Sequence, residues 1–217
     1  CEMCIRDRIR SAYLCKMLGY STTPKQSVCL IFEYMDNGSL LSVIKRESQG
    51  VLEVPLLRKL KNMGDIASGL YDIHRKNFIH ADIRADNILV DANFNAKISD
   101  MGIVKNRNSG TSRLAQLGCL TNLSNEFFTG QYTSRVDVFS FGLVAYHLFT
   151  LAEHQWTQQQ AGPRRRLLMH RLSAVPLAFM RDLILQATGD EPARRKEIFY
   201  YKWFLRKYCS SAEALFE

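Results

Sequence analysis

From Pro55 to His74 the apolar positions fall at Leu57, Leu60, Met63, Ala67, Leu70 and Ile73. Steps of three and four predict a long amphipathic helix. Val136 to Leu151 is apolar on nearly every face, which predicts a helix buried at the centre of a domain. Further helical stretches are expected around Arg165–Leu172, Leu177–Ala187 and Lys196–Tyr208. Near the start, Met3, Ile5, Ile9, Leu14 and Met17 are set among charges, so Glu2 to Leu18 reads as the end of a helix, broken at Pro24 and its Ser/Thr neighbours. Val28-Cys29-Leu30-Ile31-Phe32 is a short continuous apolar run and reads as a buried strand. Asp36-Asn37-Gly38-Ser39 has turn chemistry, with Ser39 a candidate N-cap for the segment Leu40 to Ile44. Ile88-Leu89-Val90 and Ala96-Lys97-Ile98 flank Asp91 to Asn95 and predict a small hairpin. A little strand followed mostly by helix predicts an α+β fold.

The chain has 217 residues, of which 47% are hydrophobic and 23% charged. That apolar fraction excludes disorder as the main state. Six cysteines are too dilute for a secreted disulfide scaffold. Cys1 and Cys4 form a C-x-x-C, but Cys15 and Cys29 supply no second close pair, so a zinc site is not expected. The longest uncharged stretch, Val138 to Ala152, includes Ser140 and His147 and falls short of the roughly 20 apolar residues of a membrane span. Charges crowd the first ten residues, unlike a signal peptide, and thiols used this way fit a reducing, cytoplasmic setting. The first residue is Cys1 rather than Met, as expected of a piece of something longer. Net charge is +8, which favours acidic partners without choosing among them. The densest basic stretch, Arg164 to Arg166 with His170 and Arg171, has no interleaved aromatics, so nucleic acid is not an expected partner.

The chemistry concentrates in Phe78-Ile79-His80-Ala81-Asp82-Ile83-Arg84-Ala85-Asp86-Asn87-Ile88-Leu89-Val90, with Asp100-Met101-Gly102 beginning thirteen residues after Asn87. Asp82, Asn87 and Asp100 are three spaced oxygen donors of the type Mg²⁺ takes, usually together with waters and substrate phosphates. A carboxylate beside them can accept a hydroxyl proton during phosphoryl transfer.

This set resembles the H-R-D-L-x-x-x-N and D-F-G signatures of protein kinases at their usual spacing. The resemblance covers nearly all the chain and narrows to Src-type tyrosine kinases. Glu33-Tyr34-Met35-Asp36-Asn37-Gly38-Ser39-Leu40-Leu41 resembles the hinge, and Ile66-Ala67-Ser68-Gly69-Leu70 the long helix before the catalytic loop. Arg84, two residues after Asp82, resembles the Src-type pattern, where serine/threonine kinases usually carry Lys. Arg135-Val136-Asp137-Val138-Phe139-Ser140-Phe141-Gly142 is similar to S-D-V-W-S-F-G, and Glu191-Pro192-Ala193-Arg194-Arg195 to E-P-x-x-R.

The resemblance implies a protein-kinase-like α+β fold, with a mostly helical C-lobe over residues 36–217 and a truncated N-lobe over residues 1–35 (end of helix C, strands, hinge). It implies transfer of the ATP γ-phosphoryl group to protein hydroxyls, tyrosine in particular, with ATP and Mg²⁺ as cofactors. A protein substrate or signalling partner follows. Asp82 corresponds to the catalytic base, with Arg84 beside it, and Asn87 and Asp100 to the metal ligands. Adenine is expected on the backbone of Glu33 and Met35, with Phe32 at the gatekeeper position and Leu89 on the pocket floor. Glu2 falls where the helix-C glutamate belongs. Glu126 and Arg195 correspond to positions that form a buried ion pair in the family.

The departures are specific. No Gly-rich phosphate loop or strand Lys precedes the matched segment. Ala81 replaces the Arg that receives activation-loop phosphate, and no Tyr lies between Lys105 and Gln131. Ser124-Asn125-Glu126 stands for A-P-E, Cys119-Leu120-Thr121-Asn122 for the substrate-positioning segment, and Phe216 for the tail tyrosine. These departures favour the rival reading, a pseudokinase acting as a non-catalytic interaction module. His80 is expected to pack and orient the loop, while His74, His147 and His154 show no partner pattern.

Overall fold

The computed structural model describes residues 9–23, 27–100, 105–106, 122–128, 133–156, 167–168 and 171–213. Glu2, Cys1, Cys4, Met101, Gly102, Cys119 to Thr121, Arg164 to Arg166, His170 and Phe216 lie outside them. Within them the architecture is α+β and mostly helical.

An antiparallel ribbon of β1 (Met17–Thr22) and β2 (Val28–Phe32) comes first. The helical end expected up to Leu18 is not there. Residues 9–16 contain no helix: a turn at Ala12–Tyr13 leads into a bridge from Leu14 to Ile98, where Ile98 N–H donates to Tyr13 O at 2.9 Å and Cys15 N–H to Ile98 O at 2.8 Å. Spacing that matches a helical period is overridden by pairing with a distant strand. β2 forms as expected but is not buried. Val28 is 61% and Ile31 47% exposed, while Leu30 and Phe32 are only partly buried.

Helix α1 (Leu40–Ser48) starts at Ser39, whose hydroxyl accepts from Ser42 N–H, and buries Leu40, Val43 and Ile44. Helix α2 (Leu56–His74) follows Pro55 and buries the predicted stripe. Short β3 (Phe78–Ile79) pairs with β4 (Lys105–Asn106), and a 3₁₀ turn (Ala85–Asn87) leads into the expected hairpin. The hairpin strands are β5 (Ile88–Val90) and β6 (Ala96–Ile98). After α3 (Asn125–Phe128), helix α4 (Arg135–Thr150) is buried along almost its whole length, as its unpatterned apolar sequence requires.

The helix expected around Arg165–Leu172 is not formed where it is described. Leu167–Leu168 is a strand paired with Gln155–Trp156, and Leu172–Ala174 is a 3₁₀ turn. Helices α5 (Ala178–Ala187) and α6 (Ile198–Glu213) close the domain. Gly142 is where α4 meets α5: a Cβ there would lie 2.8 Å from Ala187 Cβ and 2.7 Å from Thr188 Cγ2, so no larger residue fits without shifting the helices.

Arg195 joins these late elements to α3. Its guanidinium is 1% exposed and grips Glu126 with both terminal nitrogens, Nη2 lying 3.3 Å from Oε2. Nε donates to Gly189 O at 2.7 Å, Nη1 donates to Arg135 O at 3.1 Å, and the group lies 4.9 Å from the Phe139 ring centroid. The expected buried ion pair is present.

On α2, burial pushes the Asp65 carboxyl up to about 6, against the weaker pull of Ala96 N–H, Arg206 and Arg58. A carboxyl raised in the folded state binds protons that the unfolded chain releases, so stability falls as pH climbs from about 4 to about 6. Asp65→Asn is expected to raise stability at pH 7.5 by about 2 kcal/mol, less than the whole shift implies because Asp65 keeps some water contact. At pH 4 variant and parent should unfold alike. Denaturant titrations at the two pH values check this, and equal curves at pH 7.5 would refute it.

Candidate active site

The loop between β3 and β5 is built around one buried carboxylate. Asp137, 1% exposed on α4, accepts from Ala81 N–H at 2.8 Å through Oδ1 and from His80 N–H at 2.9 Å through Oδ2. His74 Nε2, at the end of α2, lies 2.7 Å from the same Oδ2. Burial works to raise the Asp137 pKa. The His74 hydrogen bond and charge and the Ala81 N–H outweigh it, so the carboxyl stays below its usual range. His74 therefore has a partner that its sequence context did not reveal. Ala81 is held at φ +63°, a left-handed conformation that an L side chain adopts at a cost.

His80 is fully buried, and burial keeps its ring neutral by lowering its pKa. Nδ1 accepts from Asp82 N–H at 3.3 Å, which assigns the ring proton to Nε2, 3.1 Å from Ser99 O. His80 is thus a strut between the loop and the segment that carries Asp100, as the sequence reading expects. Ser99 adds two ties from that segment: its N–H and hydroxyl donate to Asn87 O at 2.8 and 3.0 Å.

These ties bring together Asp82 and Asn87. Asn87 Nδ2 donates to Asp82 Oδ2 at 2.7 Å and to Asp82 O at 2.9 Å. Asp100 is exposed, sits at φ +50° and raises the Asp82 pKa through its charge. Burial is the larger cause of that rise, and Asn87, His80 and Arg84 oppose it. A carboxylate so placed is a stronger proton acceptor than one in water. Arg84 turns back on Asp86, with Nε 3.0 Å from Oδ2, and lines a cleft of about 200 Å³ with His147, Glu153 and His154.

The hinge is stitched to the hairpin. Asn37 N–H donates to Val90 O at 3.0 Å and Val90 N–H to Gly38 O at 2.8 Å, so Leu89 of β5 lies beside the hinge. Phe32, partly buried, ends β2. Glu33 Oε1 accepts from Lys16 N–H and Oε2 from Lys97 Nζ, both at 2.7 Å. Burial works to raise the Glu33 pKa, but these two lysines hold it below the usual value. Glu33 N–H donates to Lys16 O and Met35 O accepts from Gly38 N–H, both at 2.9 Å. Like the Tyr34 and Asp36 backbone groups, the Glu33 carbonyl and the Met35 N–H make no backbone hydrogen bond outside the strand ladders among the described residues. They are the pair that the resemblance assigns to adenine.

Asp137 and Ser99 are the structural residues that sequence reasoning did not single out. A signal existed for Asp137: a lone carboxylate in an otherwise apolar, buried helix must find donors there. The oxygen donors fit Mg²⁺ by type. Asn87 spends Nδ2 on Asp82 and keeps its Oδ1, while Asp100 offers a carboxylate. Among the described residues no group of three or more His, Cys, Asp or Glu is placed to hold a metal alone. Phosphate oxygens and water would complete the coordination of an ion held by these two residues.

The family model described as protein tyrosine and serine/threonine kinase matches residues 1–196. A probable serine/threonine-protein kinase of Dictyostelium discoideum is 36% identical over 129 residues, covering 57% of this chain and 12% of that protein. Chitin elicitor receptor kinase 1 of Arabidopsis thaliana is 29% identical over 153 residues, covering 69% of this chain and 24% of that protein. Another probable serine/threonine-protein kinase of Dictyostelium discoideum is 31% identical over 150 residues, or 69% of this chain. The matched stretch is at most a quarter of the length of these relatives.

Proposed function

The chain belongs to the protein tyrosine and serine/threonine kinase family, and we propose that it transfers the γ-phosphoryl group of ATP to a protein hydroxyl with Asp82 as the base. The observation that carries this reading is the pairing of Asp82 with Asn87, braced by His80 and Ser99. As the acceptor oxygen bonds to the γ-phosphorus and the bond to the ADP oxygen breaks, the hydroxyl proton passes to Asp82. Asn87 and Asp100 would hold Mg²⁺, which supplies charge neutralisation at the phosphates. Adenine binds at the Glu33 carbonyl and Met35 N–H, against Leu89 and Phe32. Residues 36–217 act as the C-lobe and residues 1–35 as the remnant of the smaller lobe.

Two observations bear on the acceptor. Arg84 in place of Lys supports tyrosine, and the names of the relatives support serine or threonine. Arg84 itself is engaged by Asp86, so its role is to shape the loop next to the acceptor. The thiols of Cys29 and Cys209 support a reducing compartment such as the cytoplasm. Among the described residues no helix is long and apolar enough to cross a membrane. A non-catalytic signalling module is favoured by the departures in the activation and substrate segments and by the buried methyl of Ala81, where the family carries a phosphate-binding arginine.

The test is phosphotransfer from labelled ATP to matched tyrosine and serine/threonine peptides by the intact protein that contains this chain, with parent and Asp82→Asn side by side. Turnover in the variant should fall at least about a hundredfold with little change in the KM for ATP, because a base acts on the hydroxyl in the transition state. Equal turnover removes Asp82 from this role. No transfer by the parent to either peptide set selects the non-catalytic module.

A further inference from the structure

Helix α6 turns an unusual face to solvent. Its buried stripe is Ile198, Tyr201, Leu205 and Cys209. On the opposite side Phe199, Tyr200 and Trp203 are 54%, 40% and 51% exposed. Large aromatic rings rarely stand together in water on a soluble domain without a use. The rings are also held rigidly. Phe199 lies 5.6 Å from Tyr71, and Tyr200 stacks at 6.1 Å on Phe204, which packs 5.5 Å from Phe179.

Cations alternate with these rings. Lys196 lies 6.0 Å from the Tyr200 ring and Lys207 lies 5.0 Å from Trp203, with Lys202 over Tyr71 at 3.9 Å. Tyr200, Trp203 and Lys207 follow steps of three and four along one side of the helix, and Lys196, just ahead of its first turn, lies by the Tyr200 ring. From Lys196 to Glu213 the cations Lys196, Lys202, Arg206 and Lys207 outnumber the acids Glu197, paired with Arg135, and Glu213, paired with Lys61, while Asp72 on α2 acts on Lys202. The net field of the face is therefore positive, in a chain that carries +8 overall.

We propose that this face of α6 docks the protein on an anionic lipid surface. Amphipathic rings of Trp and Tyr sit at the level of lipid headgroups, and Lys side chains beside them meet acidic ones. An outward helical ridge suits a plane, whereas a peptide partner is usually received in a groove. Each cation close to an acidic membrane strengthens attachment about fivefold, and salt screens the effect.

The probe is vesicles of phosphatidylcholine alone or with 30% phosphatidylserine, mixed with the 217-residue chain at 150 mM NaCl. Binding should be at least tenfold tighter to the acidic vesicles and should weaken at 500 mM NaCl. Lys196→Gln with Lys207→Gln should remove most of that preference, a loss of roughly twentyfold. Trp203→Phe keeps a ring and should keep binding, while its difference spectrum against the parent should show a blue shift of Trp203 emission on the vesicles. Trp203→Ala should bind acidic vesicles several-fold more weakly while melting close to the parent, because Trp203 is half exposed. Equal binding to both vesicle types, or unchanged binding by the lysine variant, overturns the proposal. So does capture by a polyglutamate peptide or a Trp203-dependent dimer without vesicle binding, since either assigns the face to a protein partner.

Discussion

Arg195→Ala should destabilise the fold by about 3–5 kcal/mol, the cost of leaving a buried charge without its partner. The guanidinium is 1% exposed, and its Glu126 partner only 12%. Truncation strands the Glu126 carboxylate and also leaves the Gly189 and Arg135 carbonyls without the donor they now share. Each unmet buried polar group adds to the loss, and a cavity forms against Phe139. Adding Glu126→Ala removes the stranded charge, so the double variant should recover part of the stability. It should not recover all of it, because the two carbonyls remain unmet. Arg195→Lys should fall between, since an ammonium keeps the charge but not the fork that reaches four oxygens. Denaturant unfolding of the four proteins checks the series. Parent-like unfolding of Arg195→Ala would mean that the pair carries no net stabilisation.

The second large effect is expected at Asp137. Asp137→Ala removes the acceptor of His80 N–H, Ala81 N–H and His74 Nε2 in a site almost closed to water, and should cost about 3–5 kcal/mol. Asp137→Asn should be nearly as damaging. Each carboxylate oxygen accepts a different backbone N–H, so an amide must turn its NH₂ toward one of them. The loop between β3 and β5 then shifts, and a displacement of an ångström at Asp82 can lower turnover a hundredfold. Loss of amide exchange protection at His80 and Ala81 would localise the effect. Because the Asp137 carboxyl is held below its usual value, its stabilisation is complete above about pH 4 and drains away as pH falls through the folded value. Parent-like melting of both variants at pH 7 would exclude this anchoring role.

Periodicity and turn chemistry alone determined the helices that bury a stripe along their own length. Leu57 to Ile73, the featureless apolar run after Arg135, and Ser39 ahead of Leu40 each carry their instruction locally. The hairpin around Asp91 to Asn95 belongs with them, since Asp91 Oδ1 accepts from Asn93 N–H and Asn95 N–H within the turn. The pairing of Asp82 with Asn87 was likewise legible in their spacing, because a short loop fixes how far apart such residues lie.

What only the tertiary structure decided is where a partner distant in sequence outweighs a local pattern. Leu14 lies in a helical-looking stretch, yet pairing with Ile98 holds it extended. Leu167–Leu168 is drawn into a strand by Gln155–Trp156. Val28 and Ile31 form a strand as their side chains direct, but burial needs a covering surface that no local sequence can specify. The same limit hid the core of the site. His74 and Asp137 are 63 residues apart, and neither shows in sequence that the other will be 2.7 Å away. A buried carboxylate announces that it needs donors, but only the packing of α4 against the end of α2 and the loop after β3 determines which donors arrive.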